Sequence, residues 1–193
     1  MPHMKEKIKT VAVDLFYKKG YFATSMSDIA RGSGIRKATI YHHYANKEDL
    51  LFDILKMAMA DLEQNLAASL EGVDGAEARL RAAVNSHVRF HIERQKEVLI
   101  SDSELRGLTA ENYRSVIRRR NAYERQFQQI LEQGLAEGVF AAGEAKVISY
   151  AILTMCTAVA IWFRPAGRLT KDEIALIYED FVLQGLKGGR IGQ

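Results

Sequence analysis

One cysteine and two prolines stand in 193 residues, with no internal repeat or low-complexity tract, and each scarcity removes a class of structure. Cys156 alone cannot close an internal disulfide or build a Cys-based zinc site, which excludes disulfide-stapled scaffolds and points to a reducing compartment. Two prolines leave helices almost uninterrupted, and the recurrence of Ala, Leu, Glu, Lys, Arg and Gln favours an all-helical fold. The opening Met-Pro-His-Met-Lys-Glu-Lys has no apolar run behind its charges, so no signal peptide is expected and the chain reads as cytoplasmic. Absent too are a nucleophile elbow, a Walker loop, a dinucleotide-binding glycine fingerprint and a convincing metal cluster. Catalysis, a cofactor and a metal are therefore not expected. What remains is 48% hydrophobic and 26% charged, enough to bury a core as one domain or two small ones.

The net charge of +3 is unevenly placed. Residues 1–50 hold nine Lys/Arg against five Asp/Glu, whereas residues 51–193 hold eighteen against nineteen. Six cations between Tyr17 and Lys47 face one acid, Asp28, which is the footprint of a polyanion partner or of a solvated basic face.

Apolar spacing divides the chain into about nine helices. Ile8, Val11, Ala12, Leu15 and Phe16 form a stripe that ends at Lys18-Lys19-Gly20. Ser25, three residues before Asp28, opens a short helix that Gly32-Ser33-Gly34 stops, and a second short helix runs from about Arg36 to Tyr44. Asn46 caps a long helix reaching to about Leu70. After the linker Glu71 to Gly75 come helices from Ala76 to Arg94, from Glu97 to Arg106 and from Thr109 to Ala136. Val147 to Phe163 is almost wholly apolar, yet its seventeen residues only reach the lower limit for a bilayer span, about 17. It is read as a helix buried on all sides, with no membrane partner. A last helix from Lys171 to Lys187 carries Ile174, Ile177, Tyr178, Phe181 and Val182 on one face, and the tail Gly188-Gly189-Arg190 is read as frayed.

Ser27 to Leu51, SDIARGSGIRKATIYHHYANKEDLL, has the form of a helix-turn-helix whose second helix enters a major groove of double-stranded DNA. Ile29, Ala30, Ile35 and Ile40 bury between the helices, which leaves Arg36, Lys37, Ala38, Thr39 and Tyr41 outward, with Ser25 at the start of the preceding helix. Arg donates twice to guanine, Thr meets a thymine methyl or a phosphate, and Tyr and Lys reach phosphate oxygens. His42 and Lys47 are read as phosphate clamps, and Tyr44 as core.

These residues resemble the tetracycline-repressor (TetR) family of bacterial transcription regulators. The motif elements are Asp28-Ile29-Ala30, the turn Gly34-Ile35, Tyr41-His42-His43-Tyr44 and Asn46-Lys47-Glu48, about fifty residues in all. The resemblance implies a DNA-binding head, residues 1–48, on a helical ligand-binding and dimerisation body, residues 49–193. Arg36 departs from the family's pattern, which commonly has a small hydroxyl residue capping the recognition helix there.

In the body, about 100° per residue places His87 and His91 within roughly 20° of Leu80, on the inward stripe. They read as core or pocket histidines. Arg120 and Glu124 fall in the stripe of Tyr113, Ile117, Phe127 and Leu131, where charge must be paired or must face a polar cavity. The segments from Glu104 to Phe140 and from Ile161 to Leu186 resemble a branch of the same family that answers to acyl-coenzyme A thioesters. That resemblance implies a small-molecule effector: an apolar slot near His87, His91, Tyr113, Tyr123, Glu124, Phe127 and Trp162, and phosphate partners among Arg106, Arg120 and Arg164. The last two helices are expected to pair into a homodimer. The competing readings are an architectural DNA-binding protein without effector and a helical enzyme.

Overall fold

The computed structural model describes residues 2–141 and 143–187, and among them every regular element is helical. The helices are α1 (Pro2–Lys19), α2 (Met26–Gly32), α3 (Lys37–Tyr41), α4 (Lys47–Leu70), α5 (Ala76–Glu93), α6 (Gln95–Ser103), α7 (Ala110–Ala136), α8 (Ala145–Thr157), α9 (Val159–Trp162) and α10 (Lys171–Lys187), with a 3-10 turn at Leu105–Gly107. Only Ala158 separates α8 from α9, so the two occupy what the apolar run suggested as one helix. The tail read as frayed lies outside the described residues.

Contacts group the chain into two units that no single cut at residue 48 reproduces: Met1–Ala60 with Lys96–Arg118, and Asp61–Gln95 with Arg119–Gln193. In the first unit Ile8, Ala12 and Phe16 of α1, Ile29 and Ala30 of α2, Ile40 of α3 and Leu50, Leu51, Ile54 and Leu55 of α4 form one core, joined by Ile100 and Val116. At about 25 cal/mol per Å² of apolar surface buried, such a cluster is what holds short α2 and α3, which are too brief to be stable as isolated helices. Gly34, at φ +68, makes the turn between them, where a side chain would be strained.

In the second unit α5 is central and packs against α8, α9 and most extensively α10. Its buried face runs Ala76, Leu80, Ala83, Val84, His87, Val88 and His91.

Two sequence readings of this unit require correction. The stretch from Ala145 to Trp162 is long and apolar enough to cross a bilayer by length and composition, but it is not buried on all sides: Val147, Tyr150, Ile161 and Trp162 are exposed, while Ser149, Ile152, Cys156, Val159 and Ala160 are buried. The single stripe read on α10 is two. Ile174, Ala175, Glu179, Val182, Leu183 and Leu186 turn inward, whereas Leu176, Ile177 and Phe181 stay exposed on another face. Residues three and four apart share a face, and the two stripes lie close enough in sequence to merge in a one-dimensional reading.

Candidate nucleic-acid interface and buried polar core

In the first unit, Ser25 caps α2 with a complete capping box: its hydroxyl accepts from the Asp28 N–H at 3.1 Å, and the Asp28 carboxylate accepts from the Ser25 N–H at 3.1 Å. The Ser25 bonds hold the Asp28 carboxyl below its ordinary range. The chain turns through Ser33 and Gly34, the Ile35 N–H donates to the Ala30 carbonyl at 3.0 Å, and Arg36 is the N-cap of α3 without a side-chain capping bond. The missing hydroxyl thus leaves the Arg36 guanidinium free of a capping role. Ile40 is wholly buried beneath α3, and its burial fixes what faces out: Arg36, Lys37, Ala38, Tyr41 and His42 are exposed, with Thr39 half-buried. Tyr44 is core, and its hydroxyl donates to Asp53 at 2.7 Å.

Lys47 does not reach outward. Its Nζ donates to the carbonyls of Tyr21 and Thr24, each at 2.7 Å, and lies 4.2 Å from the Tyr21 ring centroid. Two cations that the sequence reading left unassigned accompany the helix-turn-helix instead. Lys5 stands over the Tyr44 ring at 5.4 Å, and the Lys7 ammonium lies 3.7 Å from where a Cβ on Gly34 would sit. The signal for them in the sequence is weak: two cations in the first turns of α1, near or within the flank of its apolar stripe.

The second unit gathers part of the predicted effector set. The Tyr123 hydroxyl lies 2.9 Å from His87 Nδ1, His87 Nε2 is 3.1 Å from Thr157 Oγ1, that oxygen is 3.3 Å from His91 Nε2, and His91 Nδ1 is 2.8 Å from the His87 carbonyl. The two imidazoles stack at 3.9 Å, with the Phe127 ring edge-on to His87. Burial depresses both histidines, His91 to about 4 with Arg120 adding to the effect, and His87 well below the ordinary value with His91 adding to it. Both are therefore neutral at pH 7, and the partners dictate where each proton sits. A carbonyl only accepts, so His91 carries its proton on Nδ1 and its Nε2 accepts from Thr157. Thr157 then has no proton for His87, so His87 Nε2 donates to it and His87 Nδ1 accepts from Tyr123. One direction of donation satisfies all four contacts, and it puts the two histidines in opposite tautomers. Beside this chain, buried Glu124 accepts from the Ser149 hydroxyl.

The remaining predicted effector residues lie elsewhere. Arg106 stacks over the Phe22 ring at 5.2 Å and, like exposed Tyr113, belongs to the first unit. Trp162 is exposed and stacks on Tyr178. Arg164 donates to the carbonyls of Ile161, at 3.2 Å, and Phe163, at 2.9 Å, closing the end of α9. An inward-facing slot lined by Trp162 with Arg164 as its phosphate partner is thus not what the geometry presents. Sequence reasoning also passed over Ser149 and Thr157 as functional groups, although they were visible as polar breaks in the apolar run, and over Glu179. That buried carboxylate accepts from Asn85 and, at 3.2 Å, from Arg81. Among the described residues no group of three or more His, Cys, Asp or Glu is placed to hold a metal ion.

Residues 8–54 match the family model described as bacterial regulatory proteins of the tetR family, and residues 73–186 match the tetracyclin repressor-like C-terminal domain. The HTH-type transcriptional repressor KstR2 of Mycobacterium tuberculosis (strain ATCC 25618 / H37Rv) is 29% identical over 185 residues, covering 91% of this chain and 89% of its own length. Among solved structures, the TetR family transcriptional regulator PfmR from Thermus thermophilus is 32% identical with a TM-score of 0.85, over 93% of this chain and 98% of that one. AibR, solved in complex with isovaleryl coenzyme A and operator DNA, is 29% identical with a TM-score of 0.84, over 95% and 98%.

Proposed function

Since the chain belongs to the TetR family of bacterial transcription regulators, we propose that it is a homodimeric repressor that holds a palindromic operator through α3 and lets it go on binding an acyl-coenzyme A thioester. The observation that carries the DNA reading is the outward set around α3: Arg36, Lys37 and Tyr41 are exposed and Thr39 is half-buried, on a helix that Ile40 anchors to the core. Arg36, at the amino end of α3, is the candidate for base contact, and Lys37, Tyr41 and His42 are the candidates for phosphate.

The effector reading draws on AibR, whose structure holds isovaleryl coenzyme A, and on the polar chain inside the second unit. His87, His91, Tyr123 and Phe127 supply an aromatic lining with directional hydrogen bonds, and Arg120 supplies a cation. A thioester presents an apolar acyl group, polar amides and anionic phosphates, which such a mixture suits. Dimerisation follows from the exposed apolar faces of α8, α9 and α10, which pair across a two-fold axis into a four-helix bundle. Because α4 and α7 each begin in one unit and end in the other, a ligand that favours one conformation of the second unit has a covalent route to the first. A hundredfold loss of DNA affinity corresponds to about 3 kcal/mol of coupling, within the usual range.

The test is a duplex from the region beside the gene, titrated with protein and then with short, long and aromatic acyl-coenzyme A thioesters, free coenzyme A and the free acids. Release by at least one thioester and by none of the acids is expected. Release by none of the thioesters overturns the effector assignment, and failure to bind the duplex above a scrambled one overturns the operator reading.

A further inference from the structure

α3 is five residues long and buries one side chain, Ile40. An apolar contact of that kind holds the helix down without fixing its rotation, because burial has no preferred direction. Reading base edges nevertheless requires Arg36 and its neighbours to project at a set angle. A directional contact comes one turn later. The Tyr44 N–H donates to the Ile40 carbonyl at 3.0 Å, which carries the winding past Tyr41, and the buried Tyr44 ring sends its hydroxyl to Asp53 Oδ2 on the second turn of α4 at 2.7 Å. Burial would be served as well by phenylalanine; the hydroxyl is what tyrosine adds. Burial first, and then the Asp53 bond, push the phenol above its ordinary pKa, which keeps it a donor. Asp53 is itself held. Lys9 of α1, almost wholly buried, lies 3.9 Å from the same carboxylate oxygen, pairs with Glu6 at 2.7 Å and donates to Met57 Sδ at 2.9 Å. Met57 stands one turn beyond Asp53, so a single cation touches two successive turns of α4.

We infer that Tyr44 and Asp53 are positioning residues, a hydroxyl-to-carboxylate latch steadied by Lys9 that fixes the rotation of α3 against α4 and so sets how well the protein tells its operator from other DNA. The inference rests on the reading that α3 contacts DNA. Neither latch residue has to touch the duplex: the Tyr44 side chain is buried, and its hydroxyl faces a carboxylate, which repels phosphate. The latch therefore acts through the exposed residues around α3. Charge attraction to phosphate tolerates a helix that rolls by a few degrees, whereas paired hydrogen bonds to a base edge do not. Loss of the latch is accordingly felt in specific binding and spared in nonspecific binding. Because the Asp53 side chain is 40% exposed, water takes the place of the phenol once the hydroxyl is removed, and Tyr44→Phe keeps the fold.

The experiment measures the affinity of the full chain for the duplex from the region beside the gene and for its scrambled version, over a series of salt concentrations, in Tyr44→Phe, Asp53→Asn, Asp53→Ala and the Tyr44→Phe/Asp53→Ala pair. The ratio of the two affinities is the readout. Tyr44→Phe and Asp53→Ala should each lower it about tenfold, the size of one hydrogen bond to a charged group, and the pair should lower it no further than either alone. Asp53→Asn keeps an oxygen that accepts from the phenol and should preserve the ratio. The salt slope of Tyr44→Phe should equal that of the unsubstituted protein. An unchanged ratio in Tyr44→Phe, losses that add in the pair, or Asp53→Asn as impaired as Asp53→Ala overturns the latch. So does a slope flattened by about 0.9 in Tyr44→Phe, which would make Tyr44 a phosphate contact. A protein that binds neither duplex refutes the DNA reading instead, and hydrogen exchange of amides 42–44 in free protein then decides the latch: about tenfold faster in Tyr44→Phe supports it, and an unchanged rate overturns it.

Discussion

At the scale of single residues, Thr157 is the pivot of the buried core, because one hydroxyl accepts from His87 and donates to His91. Thr157→Val keeps the shape and removes both functions, leaving an imidazole donor and an imidazole acceptor buried without partners. A loss of about 1–3 kcal/mol is expected in denaturant unfolding, and no loss would show that the polar chain contributes nothing. The histidines also set an acid limit. Folded His91 is depressed to about 4 and His87 lies well below the ordinary 6.5, so the unfolded chain takes up protons first as pH falls. Stability should therefore be full above about pH 6.5 and decline toward pH 4, with His91 alone accounting for about 3 kcal/mol. Melting curves across that window should be flatter for His91→Asn, and an equally steep decline in the variant would assign the acid sensitivity elsewhere.

At the scale of elements, two local contacts have consequences opposite to what helix propensity alone suggests. Gly134 lies inside α7, where alanine is the better helix former, but a Cβ there would stand 2.1 Å from the Phe140 ring. Gly134→Ala should destabilise by about 1–3 kcal/mol because the ring must move, and a stabilised variant would mean that Phe140 relocates freely. Ser25→Ala, which breaks the α2 capping box, should cost about 1 kcal/mol by thermal or denaturant melting. The helices themselves were legible: periodicity, the cap at Ser25 and the glycines at 20 and 34 place the end of α1 and both ends of α2 and α4 within a residue or two of where they lie, while α3 stops at Tyr41, three residues before the expected Tyr44. Side-chain destinations were not. The carbonyls that hold Lys47 lie 23 and 26 residues before it, a relation that charge pattern does not encode. Trp162 was read as pocket lining because an apolar run looks alike whether its outer face meets a core or a second chain. His87 and His91 were found, since a helical repeat carries two histidines to the buried stripe whatever they bond there.

For the whole molecule, the exposed apolar faces of α8 to α10 are the surface that the proposed dimer buries. Val147, Ile161 and Phe181 are each more than 60% exposed, and Ile177 lies one turn from Phe181 on the same side of α10. Sedimentation of the unsubstituted protein should give twice the 21.7 kDa chain mass, and Phe181→Asp should give the single-chain mass with the helical signal retained. A monomeric unsubstituted protein at micromolar concentration would remove the dimer. The same buried core that orders the histidines encloses Cys156, fully buried, with its thiol pushed up to about 12 by burial. As the sole thiol, it is silent toward alkylating reagents while the fold is closed and reactive once the fold opens. The rate at which native protein consumes a maleimide therefore serves as a clock for spontaneous opening of the second unit, and the slowing of that clock by a candidate ligand reports binding without DNA or any attached dye.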